Sequence, residues 1–181
     1  MRRKLTLHPD SCCLAAAGID VDATRPRPGL LELRYILAGN IAGLRLPPAT
    51  APARADELWR HTCFEVFLQT APGAGYYEFN LAPSTQWAAY RFDDYRSGMT
   101  AVQDIAAPRI ETAWSDSRFE LRAALQLDGL PGLDDRNSWR LGLSAVIEES
   151  DGGISYWALA HPAGRADFHH SDCFDLDLPA A

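Results

Sequence analysis

The sequence predicts an all-β protein, a sandwich of two antiparallel sheets, and three observations predict it. Short runs of alternating apolar and polar residues recur along the chain. Turn-forming Gly, Pro, Asp, Asn and Ser separate those runs. No stretch keeps the 3.6-residue periodicity of a long amphipathic helix. The 181 residues, 47% hydrophobic and 23% charged, suit a single domain over 1–181 with a core of real size.

The N-terminus begins Arg2, Arg3, Lys4, as a signal peptide would, but Thr6, His8, Pro9 and Asp10 interrupt any apolar core. The apolar stretch 12–19 is short and ends in Asp20. Neither a cleavable signal nor a membrane span is read, and the cytoplasm is the expected compartment. The four cysteines are too few for a disulfide framework in a chain this long, and the adjacent pair Cys12 and Cys13 is poorly placed to bridge. A net charge of −7 argues against nucleic acid and anionic membrane as partners.

The strands follow in order. Leu31, Leu33, Tyr35 and Leu37 alternate with Glu32 and Arg34. Residues 47–56, with three prolines, form a loop. Residues 58–95 read as three consecutive strands. In 118–127, Phe119, Leu121, Ala123, Leu125 and Leu127 share one face, and Arg118, Glu120, Arg122 and Gln126 the other. Strict period two over that length is hard to read as a helix. Residues 130–137 form a second loop. Trp139, Leu141, Leu143, Ala145 and Ile147 then alternate with Arg140, Ser144 and Glu148. The turn Ser150, Asp151, Gly152, Gly153 leads into 154–160 as a hairpin. Residues 173–178 supply a possible last strand.

The central hairpin carries most of the functional information. Residues 62–69 and 76–82 flank a turn-rich connector, 71–75. With Glu65 opposite Asn80, one face pairs Phe64 with Leu81, Val66 with Phe79 and Leu68 with Tyr77, all apolar. The other pairs His61 with Ser84, Cys63 with Ala82, Glu65 with Asn80, Phe67 with Glu78 and Gln69 with Tyr76. A one-residue slip would destroy this sorting and a two-residue slip would keep it. The first face is expected in the core and the second in contact with water. In the third strand, Tyr90 and Phe92 are assigned to the core, with Trp87 and Arg91 beside the polar face; the reverse is open.

Such a polar face can recognise a polyhydroxylated ligand. Sugars offer C–H patches that stack on rings and hydroxyls that need mixed donors and acceptors. Trp59, Tyr76, Trp87, Tyr95 and Trp157 can supply rings; Glu65, Glu78, Asn80, Gln86 and Arg91 can supply hydrogen bonds. The competing reading is a solvated outer face with the tryptophans in the core.

Trp59, the run Cys63-Phe64-Glu65-Val66-Phe67-Leu68, and Tyr76-Tyr77-Glu78-Phe79-Asn80 together resemble DOMON-like domains related to family 9 carbohydrate-binding modules. The resemblance covers about residues 55–95. It implies a jelly-roll-type sandwich of roughly ten strands and a non-catalytic ligand site on one sheet face or rim, for sugars in some relatives and haem in others. Trp59, Glu65, Glu78 and Asn80 fall within the matched motif. Sugar-binding relatives are secreted modules attached to enzymes, and this sequence shows neither feature, which favours a small soluble ligand over a polysaccharide.

A second cluster lies near the C-terminus, where His161, His169 and His170 are three of the five histidines. His61, Cys63, His170 and Cys173 offer the donor types of a zinc site, but their spacings match no established zinc pattern. Haem-binding relatives use Met and His ligands, and this chain has only Met1 and Met99. No cofactor is therefore expected. The candidate ligand site comprises Trp59, His61, Glu65, Tyr76, Glu78, Asn80, Trp87, Arg91, Trp157, His169 and His170. The rival from another class is an enzyme using Glu65 and Glu78 as an acid–base pair, or His61 or His170 as base with Cys63 or Cys173 as nucleophile. A third reading, an interaction protein using an exposed sheet, has no amphipathic helix to support it.

Overall fold

The computed structural model describes residues 1–69 and 75–181, so the connector 71–75, apart from Gly75, lies outside the described residues. Within them run twelve strands. β1 is Arg2–Leu7, β2 Ala16–Arg27, β3 Leu30–Gly39, β4 Cys63–Gln69, β5 Tyr76–Leu81 and β6 Trp87–Phe92. β7 is Thr100–Ala101, β8 Arg109–Ser115, β9 Arg118–Gln126, β10 Trp139–Glu148, β11 Ile154–Ala158 and β12 Leu176–Leu178. Among the described residues no helix is long and apolar enough to cross a membrane.

Two sheets form a sandwich. Sheet I runs β7-β6-β5-β4-β10-β11, with β12 also on β10; sheet II runs β2-β3-β9-β8. β1 belongs to both. Its first residues pair with β2, and Thr6 and Leu7 pair with β11. All strand pairs are antiparallel. The strands Arg2–Leu7, Ala16–Arg27, Thr100–Ala101 and Arg109–Ser115 are the ones the alternation reading does not single out. β1 buries only Leu5, and β8 only Ile110, so neither presents an apolar row.

The expected hairpin register holds. Phe64 faces Leu81, Glu65 faces Asn80, Val66 faces Phe79, Phe67 faces Glu78 and Leu68 faces Tyr77. Phe64, Val66, Leu68, Phe79 and Leu81 point into the sandwich with Trp139, Leu141 and Leu143 of β10 and Leu33, Tyr35 and Leu37 of β3. Phe64 stacks on Phe119 of the opposite sheet at 5.8 Å. The buried Tyr35 hydroxyl crosses the core and donates to the Glu65 carbonyl oxygen at 2.6 Å, which satisfies a polar group that would otherwise cost about 1–3 kcal/mol.

Two expectations are corrected. In β6, Trp87 and Ala89 join the core, and Tyr90 and Phe92 lie on the outer side of sheet I. Arg91 shares the core side, with its guanidinium 6.0 Å from the Tyr77 ring. Second, the face expected to be wet is buried, with Glu65 only 2% and Asn80 0% exposed. The face is covered by residues 160–175 and by Leu58 and Trp59 of the turn before β4. Phe174 packs edge-on against Phe67 at 6.0 Å and Tyr76 at 5.6 Å. Gly142 permits this approach, because a Cβ there would lie 3.2 Å from the Cys173 carbonyl oxygen and 3.3 Å from Phe67 Cβ. With both faces of β6 covered, alternation carries no information about which side is core.

Candidate functional site

The cover over sheet I is incomplete and leaves a cavity of about 510 Å³. Its floor crosses adjacent strands: Tyr90 and Phe92 from β6, Glu78 from β5, Glu65 from β4, Val146 from β10 and Tyr156 from β11. Trp59, Arg96, Met99, Phe168 and His169 form the walls. A groove of similar volume on the outer face of sheet II is lined by charged side chains already engaged with one another, Arg109 with Glu111 and Arg34 and Arg122 with Glu120.

Each wall is tied down. Trp59 sits in the short 3-10 turn Leu58–Arg60 just before β4 and meets Tyr90 edge-on at 6.0 Å. The Tyr90 hydroxyl donates to Asp56 Oδ1 at 2.6 Å, which fixes the segment leading into that turn. Arg96 adopts a left-handed backbone, φ 51°, in the loop after β6. Its Nε and Nη2 both donate to Asp167 Oδ1, at 3.1 and 2.7 Å, and Tyr95 donates to the same carboxylate. The loop after β6 and the covering segment are thus clasped together beside the cavity.

The polar floor is a connected network. Asn80 Nδ2 donates to Glu78 Oε1 at 2.7 Å, and its Oδ1 accepts from the Cys63 thiol at 3.6 Å. The Arg96 N–H donates to the Tyr76 hydroxyl oxygen at 3.2 Å, and that hydroxyl is hydrogen-bonded with His169 Nδ1 at 2.8 Å. His169 Nε2 lies 3.7 Å from Glu78 Oε2. Burial, with Arg96 nearby, lowers the His169 pKa to about 4, so the ring is neutral and this approach is not an ion pair. Ser144 Oγ donates to Glu65 Oε2 at 3.4 Å; Glu65 Oε1 is buried without a hydrogen-bond partner. Burial and the neighbouring Glu78 push the Glu65 carboxyl well above the ordinary carboxylate range, and burial raises Glu78 as well.

Of the residues expected at a site, the structure brings Trp59, Glu65, Glu78 and His169 to the cavity. Tyr76 and Asn80 support them through the hydrogen bonds above. Trp87 and Trp157 lie in the core between the sheets, and Arg91 stays on the core side of β6. His61 sits at the end of sheet I, with Nδ1 2.8 Å from Glu148 Oε2. His170 lines a neighbouring cleft with Tyr95 and accepts from the Asp172 N–H at 3.2 Å. The zinc-type donors are engaged separately: Cys63 with Asn80, His61 with Glu148, and Cys173 with the Ala160 and Asp167 carbonyls at 3.2 and 3.1 Å. Among the described residues no group of three His, Cys, Asp or Glu side chains is arranged to hold a metal ion.

Sequence reasoning misses Tyr90, Phe92, Arg96, Met99, Val146, Tyr156, Ala166 and Phe168 as lining residues. A signal exists for Tyr156. It is the polar-tipped neighbour of the core residue Trp157 in β11 and so must face the other way. For Arg96 and Phe168, which sit in loops, no periodic signal exists.

No family model matches this chain, and no curated protein sequence matches it. Solved structures do match. One is a protein from Bacteroides uniformis proposed to bind carbohydrate, with a TM-score of 0.69 and 11% identity over 95% of this chain and 83% of that one. Another is a family 9 carbohydrate-binding module from Caldicellulosiruptor kristjanssonii in complex with cellotriose, with a TM-score of 0.54 and 10% identity over 88% and 74%. A family 9 module from the same organism in complex with glucose gives a TM-score of 0.51 and 10% identity over 97% and 83%. At these identities the likeness establishes the fold: a β-sandwich of the family 9 type. It bears on the family 9 half of the resemblance and not on the DOMON half.

Proposed function

We propose that this domain binds a saccharide, without catalysis, in the cavity on the outer face of sheet I. The observation that carries the reading is the make-up of that cavity. Its floor holds the buried carboxyls of Glu65 and Glu78 beside the rings of Tyr90 and Tyr156, and its wall carries the ring of Trp59. Hydroxyls need fixed acceptors and donors, and sugar C–H faces need flat apolar surfaces; both are provided within one enclosure of about 510 Å³. The cellotriose- and glucose-bound modules of the same fold support the reading.

The enzyme alternative finds less support. Burial pushes the Cys63 thiol well up and the Cys173 thiol up to about 12, so neither is poised as a thiolate nucleophile. His61, engaged with Glu148, is not among the residues lining the cavity.

The test is titration of the purified chain with glucose and cello-oligosaccharides, followed by calorimetry and by tryptophan fluorescence. Saturable binding is expected, weakened about tenfold in Trp59→Ala through the lost ring contact. Absence of heat and fluorescence change with every saccharide would remove the proposal, as would binding indifferent to Trp59→Ala.

A further inference from the structure

Resting on the saccharide reading, we infer that the ligand is an amino sugar, whose free ammonium group sits between Glu65 and Glu78 at the cavity floor. The register places the two carboxyls on one face of adjacent strands, since Glu65 pairs with Asn80 and Glu78 with Phe67. They are 2% and 5% exposed. Burial of the pair outweighs the pull of the nearby Arg96 charge. Arg96 lines the same cavity, but two of its nitrogens are committed to Asp167 Oδ1. His169, the other basic group beside them, is neutral.

Three features of the floor match an ammonium better than a hydroxyl. Glu65 Oε1 is buried and has no donor, and an ammonium brings three N–H donors where a hydroxyl brings one. Two buried acids set diagonally on adjacent strands gain more from a cation than from any neutral group, because charge-assisted bonds are the stronger kind and one positive charge offsets both desolvation and mutual repulsion. The rings of Trp59, Tyr90 and Phe92 around the acids offer π faces, which attract a cation and are indifferent to its absence. A neutral sugar would fill the space and leave the acid pair as it was.

The inference has a proton signature. In the empty cavity both carboxyls are held above their ordinary range. Ammonium binding favours their ionised form, so a carboxyl O–H breaks, its proton passes to the buffer, and the carboxylate stays against the ammonium. Affinity therefore rises with pH from the ordinary carboxylate range upward, as long as the amine itself stays protonated. Of the other groups facing the pair, Arg96 stays charged and Asp167 stays its carboxylate partner. Cys63, Tyr35 and Tyr90 are raised and stay neutral, and His169 titrates only near 4.

Glucosamine, glucose and N-acetylglucosamine share a ring and differ at one position, where the amine is free, absent or acylated. Calorimetric titration of the whole chain with each, in buffers of differing ionisation enthalpy, is expected to show glucosamine tighter than either neutral sugar by about tenfold, with proton release for glucosamine alone. Glu78→Gln and Glu65→Gln are each expected to remove most of that preference. Equal affinity for the three sugars would overturn the inference and leave the saccharide reading standing. Binding of none would remove both. A glucosamine preference without proton release, or one that survives in both Gln variants, would also overturn it. If a variant fails to fold, the ligand series and the proton count on the native chain still decide.

Discussion

Glu120 on sheet II and Glu65 on sheet I occupy equivalent positions, each a carboxyl on the outward face of an alternating strand, and each is less than a tenth exposed. Their surroundings differ completely. Glu120 accepts from Arg34 Nε and Nη2, both at 2.8 Å, from Arg118 Nη2 at 2.7 Å and from Arg122 Nε at 2.6 Å. Those hydrogen bonds, led by Arg34, lower its pKa to about 2. Glu65 has one long bond from Ser144 and an unpartnered oxygen, and its pKa moves the other way. One sheet spends its outer face on a charge-balanced, solvated surface. The other keeps its acids under a cover, where Ser144, Asn80 and Arg96 offset only part of the cost of burying them. A protein gains nothing in stability from the second arrangement, which is why the proposed site is placed on that face.

The largest expected effect tests whether the cover is part of the fold. Phe174 is 3% exposed and lies on Phe67 and Tyr76. Phe174→Ala should destabilise by about 3–4 kcal/mol in urea denaturation, because it empties a packed aromatic site. Arg122→Ala on the open face should cost below about 1 kcal/mol. Similar small losses for both would mean that sheet I is as open as sheet II, and the comparison would fail.

The next effect concerns the acid under the cover. Glu65 has a raised pKa in the folded state, so folding takes up a proton. Its share of stability is fully present in acid, and it falls as pH rises from the ordinary carboxylate value through the raised one. Glu65→Gln keeps the shape and does not titrate. It should match the native chain in acid and exceed it above that range by about 1–2 kcal/mol, measured as denaturation midpoints at two pH values. A variant that is less stable than the native chain at neutral pH would show that Glu65 is compensated by a partner, and the contrast with Glu120 would disappear.

Much of this contrast is legible in the sequence, though not where alternation alone points. Period two sorts Phe64, Val66 and Leu68 from Cys63, Glu65 and Phe67, and the hairpin register follows from that sorting. Polarity then suggests that the second set is wet. The better signal is the company at i±2, which shares the face. Glu120 has Arg118 and Arg122 there, the neighbours of a solvated carboxylate. Glu65 has Cys63 and Phe67, and Glu78 has Tyr76 and Asn80, the neighbours of a covered one. What stays illegible is the cover itself. Residues 160–175 have no periodicity, and their contact with sheet I is fixed by Gly142, Arg140 Nε donating to the Phe174 carbonyl at 2.7 Å, and the clasp of Arg96 on Asp167. Each of these joins residues more than thirty positions apart or depends on a missing side chain. For the same reason the phase of β6, and with it the places of Trp87 and Tyr90, does not follow from local pattern.

The smallest effect is the one at Glu120, and its sign makes it a clean counterpart to Glu65. A depressed pKa means that the stabilisation is present above the ordinary carboxylate value and is lost as pH falls through that value toward about 2. The three arginines are between 36% and 60% exposed, so water and salt screen the attraction heavily. Glu120→Gln should therefore cost only about 1 kcal/mol at neutral pH despite its three partners. That cost should shrink in high salt and vanish as the solution is acidified, where the native carboxyl is itself protonated. The Glu65→Gln difference should also vanish in acid, but from the opposite side, since there the variant is the more stable chain at neutral pH. Two carboxyl-to-amide changes on two outer faces would thus give pH profiles of opposite sign that converge at low pH. Profiles of the same sign would mean that cover and counter-charge do not separate the two sheets.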